Sequence, residues 1–61
     1  MHYYDVKRLA LILAIQAEIE GMKAENMQRE ALEQSMAFVE QDFIDKANDI
    51  RNLAYCHDEQ L

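Results

Sequence analysis

A cysteine and a histidine stand next to each other near the C-terminal end of the sequence, Cys56 and His57. A thiol beside an imidazole could form a nucleophile and its general base. Adjacent residues of a helix project about 100° apart, however, so the two side chains could not readily hydrogen-bond to each other. Cys56 is therefore expected to be an ordinary thiol, and the sequence predicts no catalytic residues and no enzyme activity.

The histidines and carboxylates are also the residues that could bind a metal. The sequence has two histidines, His2 and His57, without the i,i+4 or cysteine-rich spacing of a metal site. Di-iron helix bundles carry Glu-x-x-His motifs, and no glutamate of this sequence is followed by a histidine three residues later. The sequence therefore predicts no metal site and no other cofactor.

A third group of polar residues could recognise a small anion. Asn26, Arg29 and Glu33 interrupt a row of apolar residues, and Lys23 lies one turn before Asn26. The guanidinium of Arg29 has the planar fork that suits a carboxylate or phosphate. Two other interpretations are that these groups face solvent near a helix end, or that they fix the register of a helix assembly. The sequence favours solvent exposure first, a register function second, and a ligand site at Lys23, Asn26 and Arg29 third.

The elements that carry these residues are predicted to be helices. The 61 residues include no proline, one glycine and no Asn-Gly or Asp-Gly turn, which favours helix throughout and gives no indication of strands. Hydrophobic residues make up 51% of the chain, so it is expected to fold. Apolar residues recur with the alternating three-four spacing of one helix face at Ile12, Ile15, Ile19 and Met22.

Two helical architectures fit this spacing. Either one helix runs nearly end to end, or two antiparallel helices form a hairpin with the turn between about residues 33 and 41. We favour the hairpin, because apolar residues of the second helix can then cover Ile12 to Met22. The sequence predicts a turn at residues 35–39 and a second helix from about Gln41 to His57. Asp42 and Lys46 are expected to pair on its outside, and residues 58–61 to fray.

A second row of residues in the first helix has almost only small side chains, spaced alternately four and three. They are Ala10, Ala14, Ala17, Gly21, Ala24, Gln28, Ala31 and Ser35. Such a row lets another helix approach closely, toward the lower end of the usual ~8–10 Å axis separation. The first helix is then apolar on two faces, which predicts a homo-oligomeric helical bundle. The predicted oligomer interface comprises Ala10, Ala14, Ala17, Gly21, Ala24 and Ala31 together with Ile12, Ile15, Ile19 and Met22.

Size and charge restrict the class of partner. A single short domain without disulfides or metal usually needs a partner to bury enough apolar surface. The net charge of −6 lies entirely beyond residue 23 and disfavours binding to nucleic acid or anionic lipid. The apolar run Leu9 to Ile15 is too short to span a membrane and suits a signal peptide poorly. With its single cysteine, the chain is expected to be cytoplasmic.

These observations predict one domain, residues 1–61, that acts as a non-enzymatic interaction module. It is expected to form a homodimer or higher oligomer and to bind another protein. The alternative is a small oligomer that binds a small anionic ligand in pockets between subunits. In length and predicted layout the chain resembles the small homodimeric helical hairpins of the Rop family of plasmid copy-number regulators. That family binds paired RNA loops through a basic helix face, and no comparable face is present here, so the resemblance extends to architecture only.

Overall fold

The protein is an all-helical hairpin. A computed structural model describes residues 2–61. Helix α1 comprises Tyr3–Ala31, helix α2 comprises Glu40–Tyr55, and a short 3-10 helix follows at Asp58–Gln60. The two α-helices pack against each other, and no strand occurs within residues 2–61. The predicted two-helix hairpin is confirmed, and the alternative of one long helix is wrong.

The interior of the hairpin is formed by one ridge of α1. Its residues alternate by four and three and are half-buried or buried: Arg8, Ile12, Ile15, Ile19, Met22, Asn26 and Arg29. The half-buried apolar residues of α2 are Phe43, Ala47, Ile50 and Leu53. Met22, at 7% exposure, is the single buried residue among residues 2–61. Two helices side by side therefore leave this chain with very little interior of its own.

Helix α1 ends in a Schellman arrangement. The Glu33 N–H donates to the Glu30 carbonyl at 3.0 Å, and the Gln34 N–H donates to the Arg29 carbonyl at 2.8 Å. Glu33 has a φ of 57°, in the left-handed region that glycine usually occupies at this position. The connection between the helices is residues 32–39, so the turn predicted at residues 35–39 lies inside the observed one.

Replacing Glu33 by glycine is expected to raise the free energy of unfolding by about 0.5–1 kcal/mol, because glycine adopts a positive φ without a Cβ clash. Glu33 is exposed, and within residues 2–61 its side chain makes no hydrogen bond that the substitution would remove. Urea unfolding measures the change. Gln34→Gly is the control, since Gln34 is also exposed but has no positive φ. An equal effect of the two substitutions would show that the left-handed backbone is not the cause.

Helix α2 begins with a carboxylate cap. The Val39 N–H donates to Asp42 Oδ2 at 2.9 Å, which satisfies one of the backbone donors at the helix start. The predicted pairing of Asp42 with Lys46 is therefore wrong. Lys46 instead pairs with Glu18 of α1. The helix ends at Tyr55, two residues before the predicted end.

Candidate functional site

Arg8 binds the C-terminal end of α2. Its Nε donates to the Leu53 carbonyl at 2.7 Å, and its Nη2 donates to the Cys56 carbonyl at 2.9 Å and to Asp58 Oδ1 at 3.1 Å. A cation at this place interacts favourably with the unpaired carbonyls and the negative end of the helix dipole. The hydrogen bond to Asp58, followed by the contact with Cys56, raises the pKa of Arg8 above its ordinary value. Residues 58–61 were predicted to fray, but Asp58–Gln60 form a 3-10 helix beside this guanidinium.

Arg8 also establishes the direction of the two helices. It lies near the start of α1 and contacts Leu53 near the end of α2, so the helices are antiparallel. Arg8 is not among the site residues predicted from the sequence. The apolar spacing could have identified it, because the ridge Ile12 to Met22 reaches position 8 when it is continued toward the N-terminus.

The middle of the hairpin is joined by an ion pair between Lys46 and Glu18. The hydrogen bond to Glu18 raises the pKa of Lys46 above its ordinary value. A raised pKa means that the stabilising contribution is fully present below the ordinary lysine pKa and is lost only as the pH rises through the raised value. The pair is therefore insensitive to pH near neutrality.

Asn26 binds the connection between the helices. Its Oδ1 accepts a hydrogen bond from the Phe38 N–H at 3.0 Å, and its Nδ2 donates to the Phe38 carbonyl at 2.8 Å. The Asn26 carboxamide thus hydrogen-bonds to both the N–H and the carbonyl of Phe38. None of the three interpretations of the sequence anticipated this contact. In the hairpin, Asn26 holds the end of the connection against α1.

The other two residues of the predicted ligand or register site are also partnered within α1 and the connection. Lys23 Nζ lies 3.0 Å from Glu20 Oε1. Arg29 Nε donates to Glu25 Oε1 at 2.8 Å, an i,i+4 pair within α1, and its Nη1 lies 3.5 Å from the Ser35 carbonyl. An anion at this place would have to displace a carboxylate from each cation. The geometry gives the predicted anion site no support.

The face of α1 opposite to the buried ridge carries a second regular row, which we call the outer row. Its nine positions alternate by three and four, and all are exposed: Tyr3, Val6, Ala10, Leu13, Ala17, Glu20, Ala24, Met27 and Ala31. Eight of the nine are apolar. Tyr3, Val6, Leu13 and Met27 are between 51% and 70% exposed. An apolar row this long on a surface is typical of an interaction site.

The structure places the ten predicted interface residues on two different faces of α1. Ile12, Ile15, Ile19 and Met22 belong to the ridge that the hairpin itself covers. The six small residues lie on the outer row or, for Ala14 and Gly21, beside it, and all six are exposed. A Cβ added at Gly21 would meet no atom within 4 Å. The six small residues are therefore exposed in the hairpin, whereas the four large ones face α2.

A groove of about 430 Å³ lies between the helices near the end of α2, and a second concave surface of about 440 Å³ lies beside Ala17, Ile19 and Ile50. The groove is bordered by Ile15, Glu18, Asp49, Leu53 and Cys56, among others. The Cys56 thiol donates to the Leu53 carbonyl at 3.4 Å and is thus engaged with its own helix. Within residues 2–61, no three His, Cys, Asp or Glu side chains are grouped as a metal site would require.

Fold and surface together define a two-helix hairpin with one apolar row left uncovered. Comparison with known proteins finds no match for the chain, whether among protein families, curated proteins or solved structures. Neither helix described here has the length and apolar character that crossing a membrane requires. The function is therefore inferred from the geometry of the chain.

Proposed function

We propose that this protein is a non-enzymatic interaction module that assembles with itself through the outer row of α1 and, as an oligomer, binds another protein. The observation that supports assembly is the amount of exposed surface. The hairpin exposes 4824 Å², whereas a compact monomer of its 7.2 kDa mass exposes about 4,100 Å². The excess of roughly 700 Å² is close to the ~800 Å² that each partner covers in a standard interface.

Covering the outer row would supply stability that the hairpin lacks. Met22 is the one described residue that the hairpin buries. Complete burial of an aliphatic side chain contributes about 1.5–3 kcal/mol relative to exposure. Val6, Leu13 and Met27 all stand exposed on the outer row, so assembly would stabilise each subunit by several kcal/mol before the entropy of association is subtracted.

Charge supports the choice of partner. The net charge of −6 belongs to the part of the chain beyond residue 23, and Glu40, Asp45 and Asp49 of α2 are exposed. In a bundle held together through α1, these carboxylates remain on the outside. An acidic surface favours a protein with a basic surface and disfavours phosphate backbones and anionic membranes.

The test is whether thermal stability depends on protein concentration. Because assembly is coupled to folding, we expect the melting temperature to rise over a hundredfold increase in concentration, and sedimentation to give a multiple of 7.2 kDa. Leu13→Glu should abolish both effects. Ile44→Glu is the matched control, since Ile44 is also an exposed apolar residue but lies on α2. A monomeric mass with a melting temperature that does not change with concentration would refute assembly.

A further inference from the structure

We infer that the outer row is covered by the outer row of a second copy of the same chain, with the two α1 helices antiparallel and Ala17 at the two-fold axis. This inference rests on the proposed function, because it specifies the partner and its orientation. Three properties of the row support it: the arrangement of residue sizes, the arrangement of charges, and the excess of exposed area described above.

Ala17 is the fifth of the nine positions and therefore the centre of the row. With a two-fold axis at Ala17, Ala10 lies opposite Ala24 of the partner subunit, and Ala24 lies opposite Ala10 of the partner subunit. The bulkiest residue, Tyr3, lies opposite Ala31 of the partner subunit. Alanine at every seventh position keeps the contact line narrow, so the helix axes can approach to about 8 Å. Every seventh position of the row thus lies opposite another such position. The four positions between them, Val6, Leu13, Glu20 and Met27, lie opposite residues beside the row of the partner subunit.

Charges beside the row favour the same orientation. Lys7 forms no salt bridge within residues 2–61. In an antiparallel pair centred on Ala17, it lies on the same flank as Glu25 of the partner subunit and within about 3 Å of it along the helix axis. Within its own helix Glu25 uses Oε1 to accept from Arg29, so its second oxygen would accept from Lys7. Because of the two-fold symmetry, the dimer would contain this ion pair twice. Each Glu20, the one charged residue of the row, lies opposite Ala14 of the partner subunit.

A parallel pair in register would lose these advantages. It would place Glu20 beside Glu20 of the partner subunit, and it would separate Lys7 from Glu25 of the partner subunit by about 27 Å along the helix axis. Like charges in contact are destabilising, and the two helix dipoles would also be aligned unfavourably. Charge thus favours the antiparallel arrangement, and a centre at Ala17 gives the two rows their fullest overlap.

Disulfide cross-linking tests the inference directly. The parent is Cys56→Ser, which removes the single cysteine while keeping a donor for the Leu53 carbonyl. Ala10→Cys, Ala17→Cys and Ala24→Cys are each introduced into it and oxidised in a glutathione buffer, so that only neighbouring thiols remain joined. These positions are exposed in the hairpin, and circular dichroism checks that each variant keeps its helix content. Ile44→Cys on α2 controls for random collision.

We expect Ala17→Cys to form a disulfide dimer by itself, since the same residue from both chains meets at the axis. Ala10→Cys and Ala24→Cys should each fail alone, because the two copies of either residue lie roughly 21 Å apart. A mixture of the two, one labelled with ¹⁵N, should give a mixed dimer recognised by its mass.

Each other pattern would overturn the inference in a distinct way. A disulfide of Ala10→Cys alone would show a parallel pair. A parent that sediments as an oligomer with no cross-link at any of the three positions would place the contact elsewhere and leave the proposed assembly intact. A parent that is monomeric at all concentrations would refute both the inference and the assembly, and would assign the outer row to a different protein.

Discussion

Replacing Asn26 by alanine is expected to lower the free energy of unfolding by about 2 kcal/mol, because the side chain makes two hydrogen bonds that each contribute about 1 kcal/mol net. Both bonds go to the backbone of Phe38, whose N–H and carbonyl would be left without a protein partner. Small domains are only marginally stable, so this is a large share of the total. Urea unfolding measures the loss, and hydrogen exchange at the Phe38 amide locates it.

The control for this substitution is Asn52→Ala in α2. Asn52 is exposed, and its side chain makes no hydrogen bond within residues 2–61. Both substitutions replace asparagine by alanine inside a helix, so the gain in helix propensity cancels in the comparison. Equal stability of the two variants, with unchanged exchange at Phe38, would show that the contact with the connection contributes nothing.

Replacing Gly21 by leucine is expected to dissociate the oligomer while making the isolated hairpin more stable. Within the hairpin a side chain at this position meets open space, so the substitution should gain about 1 kcal/mol in helix propensity. Between two closely packed α1 helices, the added volume should cost about 1–3 kcal/mol, which corresponds to a dissociation constant about 5-fold to 150-fold larger. Sedimentation and thermal melting at low and high concentration separate the two effects.

Gly21→Ala is the milder comparison, since one methyl group is compatible with a close helix approach. We expect it to keep the oligomer and to raise the melting temperature slightly. If Gly21→Leu raises the melting temperature and the mass in solution stays the same, Gly21 faces solvent in the assembled state. The interface would then have to be sought away from the small residues of α1.

The helices and their packing faces were predictable because they depend on periodicity. The ridge Ile12 to Met22 alternates by three and four, and α2 covers that ridge. The absence of proline favoured long helices, and the place of the turn followed from weak helix formers within residues 35–39. The self-association predicted from the small residues remains a prediction, because a single chain shows only that those residues are exposed.

The contacts that hold the hairpin together were not predictable in the same way. Asn26 binds the backbone of Phe38, and Arg8 binds backbone carbonyls at the end of α2. Every residue has a backbone carbonyl, so a side chain that hydrogen-bonds to one does not require a particular residue type at the contacted position. The sequence therefore does not mark that position. The positive φ of Glu33 was not predictable either, since the residue with a positive φ at the end of a helix is usually glycine and not glutamate.

The polar contacts between the two arms of the hairpin close very different lengths of chain. The contact of Asn26 with Phe38 spans 12 residues, that of Glu18 with Lys46 spans 28, and that of Arg8 with Leu53 spans 45. Loop closure costs more entropy as the loop lengthens, so the arms are expected to come together first at the turn. Contacts that form late mainly affect the unfolding rate. Asn26→Ala should therefore lower the folding rate constant, whereas Arg8→Met should raise the unfolding rate constant. Stopped-flow kinetics can measure the two rate constants separately, and they would show that the two ends of the hairpin form at different times.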